Sequence, residues 1–419
     1  MSKKFLLTNQ QPWQQALSVL TELETANQKL NYYLSALFQK DPMYVVSRAY
    51  VLNVVKRNDL IEYFLKKCLR YSPKLTLKCF LKLVLGRLLQ FYLSTSDKSK
   101  SMAPLVNGWI SRSKQIFSLP ECKFINAVLR KILPEFKTLD LLPLSVRYST
   151  PEWLIERYSS VYGQKVLLEF LKWNEGLSTT YVHSNFVMEG MEETRWPHFY
   201  TVKDAGIWKN IFALIKQGKI YIQDPMTRIP VELLNVGSEQ NVLDLCSAPG
   251  GKTVQLAKKV KAPFKVVSVD LPKHTKRLYD NVANYSNVHV VEQDILNLTE
   301  HVFEEMHLPK LYERVLIDVP CSNTGVIRRK PDVVYRLRPE DFISLPKFQY
   351  ELLCKASRFV GTSGLLVYST CSIDVDENQE VVDRFLRENS NFSLEASHMS
   401  LPWVDGHDGG GAFCLKRNA

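Results

Sequence analysis

The 419-residue chain reads as a multidomain protein, an all-α N-terminal third joined to an α/β remainder. Three observations predict this. Residues 10–135 carry apolar side chains at helical spacing. From about residue 219, short apolar runs alternate with helical stretches, the rhythm of a parallel, doubly wound sheet. The charge is also unevenly divided: residues 1–150 hold 23 Lys+Arg against 9 Asp+Glu, and the rest hold 31 against 34. The whole net charge of +11 therefore belongs to the helical third, as expected of a module that holds polyanions.

The elements follow in order. Leu17, Val19, Leu20 and Leu23 mark one amphipathic helix, and Leu60, Tyr63, Phe64, Leu65 and Leu69 another. The stretch Leu75 to Leu93 is apolar on most sides, which fits a central bundle helix. Thr95, Ser96, Asp97, Ser99 and Ser101 make a polar loop. Phe124 to Arg130 predicts a further buried helix, ended by Pro134. Thr150-Pro151 before Glu152 and Trp153 pairs a capping residue with a proline at the first turn, a helix start. The pattern to residue 218 is mixed. Strands are then expected at Val242–Leu245, Val266–Asp270, Val288–Val291, Val315–Asp318 and Leu365–Tyr368, with helices at Thr253–Val260, Lys276–Tyr285 and Phe348–Val360. Three parts result: 1–138, 139–218 and 219–419.

Composition narrows the function classes. The 45% apolar content is that of a soluble globular protein. No apolar run approaches the roughly 20 residues of a membrane span, and the opening to Gln14 lacks a secretory core, so a cytoplasmic protein is expected. The eight cysteines form no Cys-x-x-Cys pair; neither a zinc site nor a disulfide framework is expected, and most should be small buried hydrophobes.

Chemistry concentrates after the predicted strands. Ser247-Ala248-Pro249-Gly250-Gly251-Lys252 is a glycine-rich turn into a helix, suited to close approach by a ligand. It has neither P-loop nor dinucleotide spacing, and so lacks the marks of a pyrophosphate cradle. Asp270 closes the second strand, where an acid accepts hydrogen bonds from ribose hydroxyls. Asp294 follows the third strand and Asp318 ends the fourth. Together with the loop they favour an adenosine cofactor without phosphates. Cys321 and Cys371 each end an apolar run, and two thiols beside such a loop suggest covalent catalysis.

Here the residues resemble a family. Cys246-Ser247-Ala248-Pro249-Gly250-Gly251-Lys252-Thr253, Asp318-Val319-Pro320-Cys321-Ser322 and Ser369-Thr370-Cys371-Ser372 through Glu377-Asn378 are similar to the RNA 5-methylcytosine methyltransferases. Gly325-Val326-Ile327-Arg328-Arg329 and Pro331-Asp332 fit as well. The basic helical start with Phe124 to Arg130, the length, and Asp408 to Phe413 resemble the bacterial 16S rRNA members of the RsmB (NOL1/NOP2/Sun) family. The resemblance implies a NusB-like RNA-binding domain over 1–138, a small connecting α+β module and a Rossmann-like class I methyltransferase domain. It implies transfer of a methyl group from S-adenosylmethionine to cytosine C5 in 16S rRNA, with tRNA as the nearest alternative substrate and a non-catalytic assembly factor as a rival.

The chemistry explains the residue types. Cytosine C5 is a poor nucleophile until a thiolate adds at C6, so the attacking cysteine must lose its proton. In DNA cytosine methyltransferases the nucleophile follows a proline, as Cys321 does; in the RNA family it lies in the Thr-Cys motif. The residues alone do not separate the two. The resemblance implies Cys371 as nucleophile, Cys321 in product release and Asp318 stabilising charge near the base N3. It implies Cys246, Ser247, Ala248, Pro249, Gly250, Gly251, Lys252, Asp270, Asp294 and Asp318 at the cofactor. Arg328, Arg329, Lys330 and Arg130 are candidates for RNA phosphates, and Tyr335 or Tyr368 for base stacking. No metal, no membrane partner and a monomer are expected. One departure stands out: His183 replaces an arginine that the family places two residues before Asn185.

Overall fold

A computed structural model describes residues 10–25, 30, 32–34, 44–95, 97 and 101–418. Residues 96 and 98–100 of the expected polar loop lie outside the described residues, as do residues 1–9. The chain divides into two compact units, one of residues 1–177 with 328–336, the other of 178–327 with 337–419. The stretch 139–218, expected as a separate module, is shared between them: its helices up to Glu175 join the first unit, and its strands, with the helix Trp208–Lys216, join the second.

The first unit is built on helices α1 (Pro12–Leu23), α2 (Tyr44–Val55), α3 (Asn58–Cys68), α4 (Leu75–Ser94), α5 (Ala103–Ser113), α6 (Leu119–Ile132) and α7 (Glu152–Glu175). The expected central helix is α4, which buries Phe80, Leu81, Leu83, Val84, Leu85, Leu88 and Leu89. Trp13, Phe80 and Trp109 meet edge to face, joining α1, α4 and α5. Lys82 is buried on α4, and its charge is answered by Glu24 and by Glu62 at 2.7 Å. Burial alone lowers the affinity of Lys82 for its proton, but the bonds to Glu24 and Glu62 outweigh it and the pKa rises.

One sequence expectation holds here and one shifts. Helix α6 ends at Ile132, two residues before Pro134, and the chain continues as a 3₁₀ segment, Leu133–Leu141. Thr150 does not cap α7; its hydroxyl donates to the Tyr148 carbonyl, and Pro151 takes the capping position.

The C-terminal end of α7 is tied by charge. Arg147 Nη1 donates to Glu175 Oε1 at 2.6 Å, and Arg57 Nε lies 3.8 Å from the same oxygen. Both arginines are buried. The segment 328–336 is packed into this unit. The Arg328 guanidinium sits 4.0 Å over the Trp173 ring and donates to the Leu177 carbonyl at 2.7 Å, while Arg48 donates to the Arg329 carbonyl at 3.2 Å.

The second unit carries two sheets. A small antiparallel sheet has the order β2 (Met191–Glu193), β3 (Phe199–Val202), β1 (Tyr181–Ser184), β4 (Ile220–Ile222). The large sheet contains β5 (Val242–Leu245), β6 (Val266–Asp270), β7 (Val288–Glu292), β8 (Tyr312–Asp318), β9 (Val360–Thr370), β10 (Phe392–Ser400) and β11 (Gly410–Arg417). Its order is β10-β11-β9-β8-β5-β6-β7. The five expected strands are present and parallel, and β9 starts earlier than expected. The expected helices appear as α8 (Gly251–Ala257), α9 (Thr275–Val282) and α10 (Asp341–Ser357). The last two strands carried no sequence expectation, and β11 pairs antiparallel with both β9 and β10.

Chain order reverses at β5, which pairs with β6 on one side and β8 on the other. Because these strands are parallel, their carboxyl ends share one edge, where an open α/β sheet binds ligands. Among the described residues, no helix is long and apolar enough to cross a membrane.

Removing the Glu175 carboxylate leaves two buried guanidinium groups without it. Glu175→Ala is expected to destabilise the protein by about 2–4 kcal/mol, and Glu175→Gln by less, in urea unfolding followed by circular dichroism.

Candidate active site

The glycine-rich loop leaves β5 through Cys246, at a positive φ of 56°, and Gly250, at 101°. A Cβ at Gly250 would also lie 2.9 Å from Leu278 Cδ1, so glycine alone suits the turn. The loop is held to the end of β6: Asp270 Oδ2 accepts from the Ala248 N–H at 2.8 Å, and Asp270 Oδ1 accepts from the Leu271 N–H at 2.8 Å. Asp294 Oδ1 accepts from the Leu296 N–H at 3.0 Å. Asp244, inside β5, is fully buried; one oxygen accepts from Thr253 Oγ1 at 2.6 Å and the other has no hydrogen-bond partner. Burial pushes the Asp244 carboxyl up to about 7, with the Asp318 and Asp270 charges adding to the rise against Thr253 and Lys252.

Burial also holds the Cys246 thiol well above its ordinary range, and Asp270, Asp318, Asp244 and Asp294 push it the same way. Four carboxylates thus act on one loop. Their field suits a cation bearing hydroxyls and an amine, and opposes a polyphosphate. The unpartnered Asp244 oxygen, the carboxylates and the glycine turn fit S-adenosylmethionine, whose sulfonium and amino groups are positive and whose ribose donates hydroxyl protons.

Lys252, expected at the cofactor, turns to Asp318: Nζ lies 2.5 Å from Oδ2, while Ser369 Oγ donates to Oδ1 at 2.7 Å. Burial disfavours the ammonium form, but Asp318 above all, with Cys371 and Asp244, outweighs it and the Lys252 pKa is raised. Cys321 follows β8 and Cys371 follows β9, and their Sγ atoms are 3.1 Å apart. The hydrogen bond to Cys371, then burial and the Cys371 and Glu377 charges, hold Cys321 well above the thiol range.

A buried polar network fixes both cysteine loops from behind. Glu377 accepts from the Ser322 N–H at 2.9 Å, from Ser372 Oγ at 2.7 Å and from Gln349 Nε2 at 2.8 Å. Thr324 Oγ1 donates to Asp374 Oδ2 at 2.7 Å, and Asn378 Nδ2 donates to the Ser372 and Asp374 carbonyls. Gly325 N–H donates to the Cys371 carbonyl at 3.0 Å. A Cβ on Gly325 would stand 2.3 Å from the Gly409 oxygen, which excludes any side chain there.

The remaining sequence candidates are placed as follows. Arg130 is exposed on α6. Arg328 and the Arg329 carbonyl are engaged within the first unit as described above, where Tyr335 OH lies 3.3 Å from the Val55 carbonyl. Tyr368 is not a stacking platform: it is fully buried, and its hydroxyl donates to the Glu377 carbonyl at 2.6 Å. His183 is buried against Phe199, with rings stacked at 4.8 Å; burial, with the nearby Lys258 charge, lowers its pKa to about 4. It does not stand in for a cationic arginine. The sequence reading missed Asn323, which carries no composition signal, and gave Thr253, Ser369 and Glu377 no individual role although they stand in the matched motifs. Among the described residues, no group of three His, Cys, Asp or Glu side chains is arranged for a metal ion.

A seven-stranded sheet with one antiparallel strand, a glycine turn after the strand where chain order reverses and a carboxylate set around that turn define a class I methyltransferase. Residues 231–407 match the family model described as 16S rRNA methyltransferase RsmB/F. A probable ribosomal RNA small subunit methyltransferase B of Bacillus subtilis is 30% identical over 298 residues, 65% of each chain. The Klebsiella pneumoniae ribosomal RNA small subunit methyltransferase B is 24% identical over 94% of this chain and 95% of its own. The crystal structure of PH0851 shares the fold over 97% of this chain and 98% of its own, with a TM-score of 0.72 at 22% identity. The chain is thus similar to the RsmB/F rRNA methyltransferases, by the family model over residues 231–407 and by these relatives over more of its length.

The Asp244 shift has a definite sign. A carboxyl with a raised folded-state pKa takes up protons on folding, so its contribution to stability falls as pH rises from about 4 through about 7. Asp244→Asn is expected to flatten the stability of the cofactor-free protein across that window, measured by thermal melts. The same variant should weaken S-adenosylhomocysteine binding by about tenfold in calorimetry, because it removes the unpartnered carboxylate oxygen beside the loop.

Proposed function

We propose that this chain methylates C5 of a cytosine in 16S rRNA through a covalent bond between Cys371 and C6. The observation that carries the reading is the pair of thiols 3.1 Å apart at the ends of adjacent parallel strands, beside the Lys252–Asp318 pair and the cofactor loop. The rRNA substrate is inferred from the family description and from what the relatives are named for.

The chain's own residues do the following. Cys371 Sγ adds to C6, moving electron density to C5. Asp318, fixed by Ser369 and Lys252, accepts from the exocyclic amine at the ring edge, and the Lys252 ammonium beside it stabilises the negative charge that addition develops on the ring. S-adenosylmethionine, when bound, supplies the electrophilic methyl group that C5 takes. Loss of the C5 proton then re-forms the C5–C6 double bond and expels Cys371. Cys321, whose proton is held by the contact with Cys371 and by burial, is assigned to release. The target base must leave its stack to reach the sulfur. The excess of basic residues over 1–150 supports RNA binding through phosphates, with affinity falling as salt rises.

Cys371→Ala is expected to lower methyl transfer by about 10³-fold or more while cofactor binding persists; wild-type turnover would remove the assignment. Cys321→Ala is expected to accumulate a denaturant-resistant protein–RNA adduct on gels, and turnover without any adduct would remove its release role. Bisulfite sequencing of total RNA, with and without the gene, should show one protected 16S cytosine lost on deletion. A protected tRNA position instead would reassign the substrate.

A further inference from the structure

Asn323 stands two residues after Cys321, with a left-handed φ of 64° that asparagine tolerates better than most residues. Its side chain is turned toward both cysteines. Nδ2 donates to the Cys321 carbonyl at 2.7 Å, and Oδ1 lies 3.3 Å from Cys371 Sγ. A carbonyl only accepts, so the NH₂ must face Cys321 and the amide oxygen must face Cys371. The loop does not depend on this amide for its path, since Ser322, Thr324 and Gly325 already bind Glu377, Asp374 and Cys371.

We propose that Asn323 is a positioning residue whose side-chain oxygen holds the Cys371 thiol proton in the resting enzyme and raises the pH at which that sulfur turns nucleophilic. The inference rests on the reading of Cys371 as the nucleophile. An oxygen acceptor stabilises S–H and opposes S⁻, so its effect on the proton is opposite to that of a cation. Groups facing the thiol include Cys321 from the end of β8 and Lys252 with its partner Asp318, while Glu377 acts on Cys321 from the network behind. Lys252 favours the thiolate; Asn323 opposes it until a pyrimidine enters. The sulfur is thereby aimed between the two loops without being left as a free thiolate open to alkylation and oxidation.

The test reads Cys371 directly. Full-length protein without RNA is treated with iodoacetamide across pH, and alkylation of the Cys371 peptide is followed by mass spectrometry. N323G accepts the left-handed backbone and deletes the oxygen; its alkylation midpoint is expected about half a unit to one unit below wild type. N323D puts a carboxylate there and is expected to raise the midpoint. An N323G profile that coincides with wild type or lies above it overturns the proposal. Should N323G fail to fold, an N323D midpoint at or below wild type does so. The assay needs neither RNA nor turnover, so a Cys371→Ala variant that still methylated RNA would remove the functional reading and leave any shift standing.

Discussion

The backbone-to-backbone meeting of the β8 and β9 loops is the constraint on which the site depends. Gly325 N–H reaches the Cys371 carbonyl, and the Gly325 carbonyl accepts from Gly409 N–H at 2.8 Å. Nothing larger than hydrogen fits at Gly325. The two sulfurs are therefore close because two main chains are close, not because their side chains reach for one another. Side chains rotate among staggered states at little cost, whereas a backbone hydrogen bond in a packed interior fixes position. The short sulfur–sulfur distance is thus a property of the fold, carried by three segments far apart in sequence, two of which meet at glycines.

That arrangement also explains the acid that follows the second cysteine. Glu377 is fully buried and has no cation among its hydrogen-bond partners; Ser322, Ser372 and Gln349 satisfy it. Burial raises its pKa against those bonds. A buried acid costs stability unless its lone pairs are met, so it persists where it joins elements that otherwise lack a common partner. Here it binds the residue after each cysteine, one from each loop. It is a clamp, and its charge also favours the protonated form of Cys321.

Much of this was legible in the sequence, and the limits have physical causes. The parallel strands announced themselves because strands buried on both faces are continuously apolar. The central helix α4 did so for the same reason. Strands β10 and β11 escaped notice: Phe392–Ser400 is mostly exposed and polar, and Gly410–Arg417 opens on glycines that strand propensity disfavours. Tertiary packing against β9 overrides that propensity. Arg328 shows the opposite failure. A charge run beside a catalytic loop looks made for phosphates, yet the arginine stacks on Trp173 and binds a carbonyl, partners more than 150 residues away. Charge is visible in sequence; the partner that uses it is not.

The electrostatics of the site resolve an apparent conflict. Asp244, Asp270, Asp294 and Asp318 all act on the loop at Cys246, a field that suits a sulfonium and also opposes the formation of any thiolate nearby. Covalent attack needs that thiolate. The sheet separates the demands by placing the loop after β5 and the cysteines after β8 and β9, with Lys252 between them. Its ammonium neutralises Asp318, the one carboxylate shared by both ends, and acts on Cys371 as well. Lys252 belongs to the glycine turn in sequence and reaches toward Cys371 in space. One cation on the first turn of α8 thus serves both the acidic loop after β5 and the thiol after β9, two strands away in the same sheet.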